Sequence, residues 1–130
     1  MGLFRRRAAD KQLAPARAAF RLCASELDSA QRALLAAVPT SRDKGIPLDE
    51  AIDGFLAGLD RLEVAMPGWR IEQTEEDWKD CFRVLAESRA AALRVKEEPP
   101  SGFEALNARL GDVIAPLEQF AYAALSLRRR

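Results

Sequence analysis

The chain has 130 residues, with 20 basic and 20 acidic side chains and no histidine. Its 48% apolar and 31% charged content is that of a globular chain with one hydrophobic core, and argues against disorder or a second independent domain. Zero net charge argues against a dedicated nucleic-acid binder, which needs a cationic excess to displace counterions, and the missing histidine removes the commonest general base and transition-metal ligand.

The chain opens on a basic arm, residues 1–14, that contains Phe4, Arg5, Arg6 and Arg7. No apolar stretch follows the arginines, because Asp10 and Lys11 intervene, so a secretory signal is not expected. Position 6 is Arg6 rather than Ser or Thr, which does not support a myristoylation signal. A cytoplasmic location follows as an expectation, with Cys23 and Cys81 reduced. The dominance of arginine over lysine and the abundance of alanine suggest a GC-rich, bacterial coding genome.

The first helical stretch carries Leu13, Phe20, Leu27 and Leu34 at heptad spacing. Three residues after each come Ala16, Cys23, Ala30 and Ala37. Large residues at one heptad position and small ones at the other allow a neighbouring helix to approach closely. Pro15 is tolerable in a first turn, so the solid part of this helix is predicted from Pro15 to Val38, with a frayed turn ahead of it from Asp10. A break follows at Pro39 and Gly45.

The second stretch carries Leu48, Ile52, Phe55, Leu59, Leu62 and Met66, with Pro47 at its start and Asp49 and Glu50 at the positive end of its dipole. Pro67 and Gly68 end it. The third is predicted to open at Thr74, with Asp77 completing a weak capping box. Its stripe is Trp78, Cys81, Leu85, Ser88, Ala92 and Val95, widened by Phe82 and Leu93, and Ser88 makes the middle less clean. After Pro99 and Pro100, Ser101 and Glu104 form a second capping box ahead of the fourth stretch. Phe103, Leu106, Leu110, Val113, Leu117, Phe120, Ala124 and Leu127 give that stretch the strongest pattern, and Ile114, Ala121 and Leu125 broaden its apolar face. Pro116 lacks a backbone donor, so a kink near Gly111–Pro116 is expected.

Short connections favour antiparallel neighbours. The fold class is therefore all-α, an antiparallel up-down-up-down four-helix bundle with left-handed, shallow crossings. Residues 15–127 form the bundle and residues 128–130 a basic tail. This topology gathers Arg5, Arg6, Arg7, Lys11, Arg70, Arg128, Arg129 and Arg130 at the pole that holds both termini. The opposite pole is acidic, with Asp43, Asp49, Glu50, Asp53, Glu97, Glu98 and Glu104.

Without histidine, di-iron sites built on Glu-x-x-His pairs and His-ligated haem fail outright. A magnesium site would need converging carboxylates. The best-placed set is Asp60 and Glu63 on the second helix with Asp77 and Asp80 on the third, although all four flank their apolar stripes, where solvated charges normally sit. Cys23 and Cys81 fall on core stripes, and no histidine is present to serve as their base, which suits buried thiols rather than nucleophiles. No catalytic constellation emerges, so neither an enzyme nor a cofactor is expected.

The reading that remains is a non-enzymatic helical interaction module. It would bind a protein partner, or a second copy of itself, through a helical face or the basic pole. The contact residues at that pole are Phe4, Arg5, Arg6, Arg7, Trp69, Arg70, Arg128, Arg129 and Arg130. The alternatives are peripheral binding of an anionic membrane surface by the same Arg/Phe/Trp group, and a small magnesium-dependent enzyme on the four carboxylates.

Overall fold

A computed structural model of the chain describes the backbone of residues 2–128 and the side chains of residues 11–128. The helices are α1 (Gly2–Leu35), α2 (Leu48–Ala65), α3 (Glu75–Glu97), α4 (Phe103–Ile114) and α5 (Gln119–Arg128). Two 3-10 turns, Met66–Trp69 and Glu72–Thr74, link α2 to α3, and a third, Ala115–Glu118, joins α4 to α5 as one bent helix. Among the described residues there is no strand, so the all-helical expectation holds.

Contacts between helices pair rising numbers on one with falling numbers on the next. Gly54 and Gly58 of α2 lie against Ala33 and Ala30 of α1, and Gly68 against Ala19. Ser126 and Val113 meet Asp77 and Ser88 of α3. Met66 and Asp53 likewise meet Trp78 and Lys96, so α1, α2, α3 and the joined α4–α5 helix run antiparallel in turn.

α1 and α2 are the tightest pair. A Cβ placed on Gly58 would meet the Ala30 Cβ at 2.6 Å and its Cα at 3.1 Å. The small half of the α1 heptad thus performs the close approach read from its sequence. Gly58→Ala is expected to lose about 1–2 kcal/mol in urea unfolding, because overpacking against backbone outweighs the gain of roughly 1 kcal/mol in helix propensity. Gly111→Ala should do the opposite. Nothing lies within 4 Å of its added Cβ, so a gain of about 0.5–1 kcal/mol is expected.

Several helix ends differ from the sequence expectation. α1 begins at Gly2 rather than Pro15, and Pro15 lies inside it. Pro15 and Lys11 are both exposed, so the carbonyl that Pro15 cannot serve is within reach of water. The C-terminal end comes at Leu35, not Val38. There the N–H groups of Ala37 and Val38 turn inward to the Leu34 and Leu35 carbonyls, and the Ile46 N–H donates to the Ala36 carbonyl at 2.9 Å. Gly45, at φ 81°, is required in this returning segment, since a Cβ there would sit 2.7 Å from the Ala37 oxygen.

Neither capping box forms. Thr74 is the N-cap of α3, but its hydroxyl donates to the Trp69 carbonyl at 2.6 Å and accepts from the Ile71 N–H at 3.2 Å. It braces the α2–α3 connection instead of the helix start, and Asp77 accepts from Ser126 of α5. The N-cap of α4 is Gly102 at φ 92°, one residue past Ser101, with no side-chain cap.

The bend in the last helix is the 3-10 turn around Pro116, at the C-terminal edge of the span expected for it. It explains Ser88. This residue is fully buried in the α3 stripe and donates to the Val113 carbonyl at 2.7 Å. A carbonyl at a broken helical ladder needs another donor, and Ser88 supplies it from the neighbouring helix.

The core centres on aromatic rings. Trp69 is fully buried, with its ring 4.9 Å from Phe20 in an edge-on arrangement and 6.4 Å from Phe120. Phe55, Leu59, Leu62, Leu85, Leu110 and Leu117 surround this group.

Candidate functional site

The four candidate metal carboxylates do not converge. Arg89 bridges Asp60 and Glu63, at 2.8 Å to each. Asp77 accepts from Ser126, and Asp80 pairs with Arg83 at 3.6 Å. The reason is register. The 3-10 turns between α2 and α3 take up chain, so Asp60 faces Arg89, nine residues beyond Asp80 and thus about 14 Å along the helix. Sequence spacing alone could not count that offset. Among the described residues no group of three or more metal-ligating side chains comes together.

The basic pole is also rearranged. Trp69, expected at its surface, is fully buried. The chain turns inward after Pro67, and the indole becomes the centre of the core. Arg70 is exposed but occupied: its guanidinium makes two hydrogen bonds to Glu75, at 2.8 and 3.0 Å, and lies 4.2 Å from the centre of the Trp78 ring. Those hydrogen bonds hold Glu75 below the usual carboxylate range. Trp78 is core, while Phe82, stacked on it at 5.2 Å, is exposed. Leu127 is buried too, and its carbonyl accepts from Arg17 Nε at 2.8 Å. The side chains of Phe4, Arg5, Arg6 and Arg7, and residues Arg129 and Arg130, lie outside the described residues. Of the remaining candidates, Arg128 is exposed.

Cys23 and Cys81 are free and buried. Burial is the largest cause that pushes Cys23 up to about 11; the Trp69 indole opposes it and Glu26 adds to it. Burial likewise pushes Cys81 to about 12, with Asp77 and Asp80 adding to it. Neither thiol is poised as a nucleophile. In the unfolded chain both return to about 9, so the folded state holds their protons more tightly. This stabilising contribution is complete below pH 9 and is lost as pH rises toward 11 and 12. Urea midpoints should therefore fall over that window, and fall less in Cys81→Ala.

What sequence inspection only half identified is an open groove. α1 packs along α2, but it touches α4 and α5 only sparsely. Between α1 and α5 runs a channel in two adjoining parts, of about 390 and 320 Å³, which share Phe20, Ala24 and Ala124. Its floor is apolar: Phe20 and Leu27 from α1, Leu117 and Phe120 from the bent helix. Its walls are the alanines Ala24, Ala121 and Ala124. Larger side chains at those three positions would close the seam. Arg17, Arg21 and Arg128 rim one end, with no carboxylate among the described residues that line it, whereas Gln31 and Glu118 stand at the other. The sequence signal was the broad face of the fourth stretch, with Ala121 and Ala124; the small residues read on the first, Ala16, Cys23, Ala30 and Ala37, are buried instead, and Ala24 could not be read from their spacing.

Among the described residues, no helix is long and apolar enough to cross a membrane. No protein-family model, curated protein or solved structure matches the chain.

Proposed function

We propose that this protein is a non-enzymatic docking module that receives a helix of a partner protein in the α1–α5 groove. The observation that carries this reading is the unclosed seam itself. A four-helix bundle gains stability by closing all of its seams, and here three alanines, Ala24, Ala121 and Ala124, line an open seam above the half-buried Leu27 and the buried rings of Phe20 and Phe120. Grooves of this kind take the apolar face of an amphipathic helix. The membrane-surface reading has less support because one of its two aromatic contacts, Trp69, is buried, and the enzyme reading because Asp60 and Glu63 pair with Arg89 while Asp77 accepts from Ser126. We place the module in the bacterial cytoplasm, consistent with two buried free thiols and the arginine-rich composition.

The test is photocrosslinking in the native host. A benzophenone side chain at Ala121, on the groove, should give a discrete adduct with one protein. The adduct should vanish when Ala24→Leu fills the channel in the same chain. The same probe at Ala86, exposed on α3, should give none. No adduct from Ala121, or an equal one from Ala86, would overturn the reading.

A further inference from the structure

Resting on that docking reading, we infer that the groove selects a helix with an acidic end, laid with that end between Arg17, Arg21 and Arg128. Charge complementarity carries the inference. Three guanidinium groups rim one end of an apolar channel, and among the described residues no carboxylate lines that end. Among the described residues neither Arg21 nor Arg128 is in an ion pair, in contrast to Arg61, Arg70, Arg83 and Arg89, each of which is matched to an acid.

The shape favours a helix over a lipid. The channel is open along its length, whereas a small-molecule site encloses about 70–90% of its ligand. From Arg17 to Gln31 the channel spans roughly 21 Å, the length of about 14 helical residues. A second copy fits poorly. Stacked in parallel, two such grooves would set arginines against arginines. Stacked antiparallel, each arginine trio would meet only Gln31 and Glu118. An acidic helix end pairs with Arg21 and Arg128, beside Arg17, and leaves its apolar stripe for Phe20, Leu27, Leu117 and Phe120.

The experiment measures fluorescence anisotropy with two designed 16-residue helical peptides and the full chain. Both peptides carry leucine at i, i+3, i+4 and i+7; one ends in three glutamates and the other in three lysines. The glutamate peptide should bind about tenfold more tightly than the lysine peptide at low salt, with the gap narrowing as salt screens the charges. Arg21→Glu with Arg128→Glu should invert the order without loss of thermal stability. Arg17 is left intact because it holds the Leu127 carbonyl. If both peptides bind equally, and Ala24→Leu abolishes both, the docking reading stands and the charge selection is wrong. If neither binds, the docking reading itself fails. Dimerisation in the ultracentrifuge that Ala24→Leu abolishes, or groove-dependent binding to anionic vesicles in place of the peptide, would also overturn the inference.

Discussion

Trp69→Ala is expected to cost about 3–5 kcal/mol of folding stability, the range for removing a buried large aromatic side chain. A domain of this size has about 5–15 kcal/mol in total, so the variant should unfold at a much lower urea concentration. The reason is position. Trp69 is fully buried, closes edge-on against Phe20 and faces Phe120, and so ties the α2–α3 connection to both α1 and α5. Trp69→Phe should cost markedly less. The indole N–H has no nitrogen or oxygen partner, so the smaller ring gives up volume but no regular hydrogen bond. If Trp69→Ala changed the urea midpoint no more than a surface substitution does, the ring would belong at the surface, as its place beside Arg70 in the sequence suggests.

Ser88→Ala is expected to cost about 1–3 kcal/mol, because it leaves the Val113 carbonyl buried without its donor. The loss should depend on the bend. In a Pro116→Ala background the backbone regains an N–H and the helix can straighten, which returns the freed carbonyls to their own ladder. A double-mutant cycle on these two positions should then show a smaller Ser88→Ala cost, with a coupling of about 0.5–2 kcal/mol. Strict additivity would mean that the hydroxyl and the bend are independent.

Ser88 also shows how far the sequence could be read. Its interruption of the α3 stripe and the proline at 116 were both legible, but their pairing needed the helix register. The heptads of α1 and the even stripe of α2 were legible because apolar spacing alone dictates which face is buried. Thr74 misled for a local reason: a hydroxyl can bond any nearby backbone group, and tertiary structure decided which one; Ser101 misled because α4 starts one residue later, at the Gly102 N-cap. Trp69 misled because a tryptophan between Gly68 and Arg70 resembles a loop residue, and only the 3-10 turn carries it inward. The carboxylates failed as a set because the offset created by the α2–α3 connection is invisible to spacing. For the groove, Ala121 and Ala124 were visible, but Ala24 lies off the small-residue heptad of α1, and its place opposite them needed the helix register.

The central claim is that the α1–α5 seam is held open as a binding groove. The direct measurement is the thermal unfolding midpoint of the wild type and of Ala24→Leu/Ala124→Leu, each with and without a saturating leucine-striped, glutamate-ended peptide. Filling unoccupied apolar space should stabilise the variant by about 0.5–2 kcal/mol. A ligand that binds only the folded groove raises the midpoint by mass action. The account predicts a wild type whose midpoint rises with peptide and a variant whose midpoint is higher from the start and does not respond. A variant that is destabilised, or that keeps the full peptide response, would contradict it.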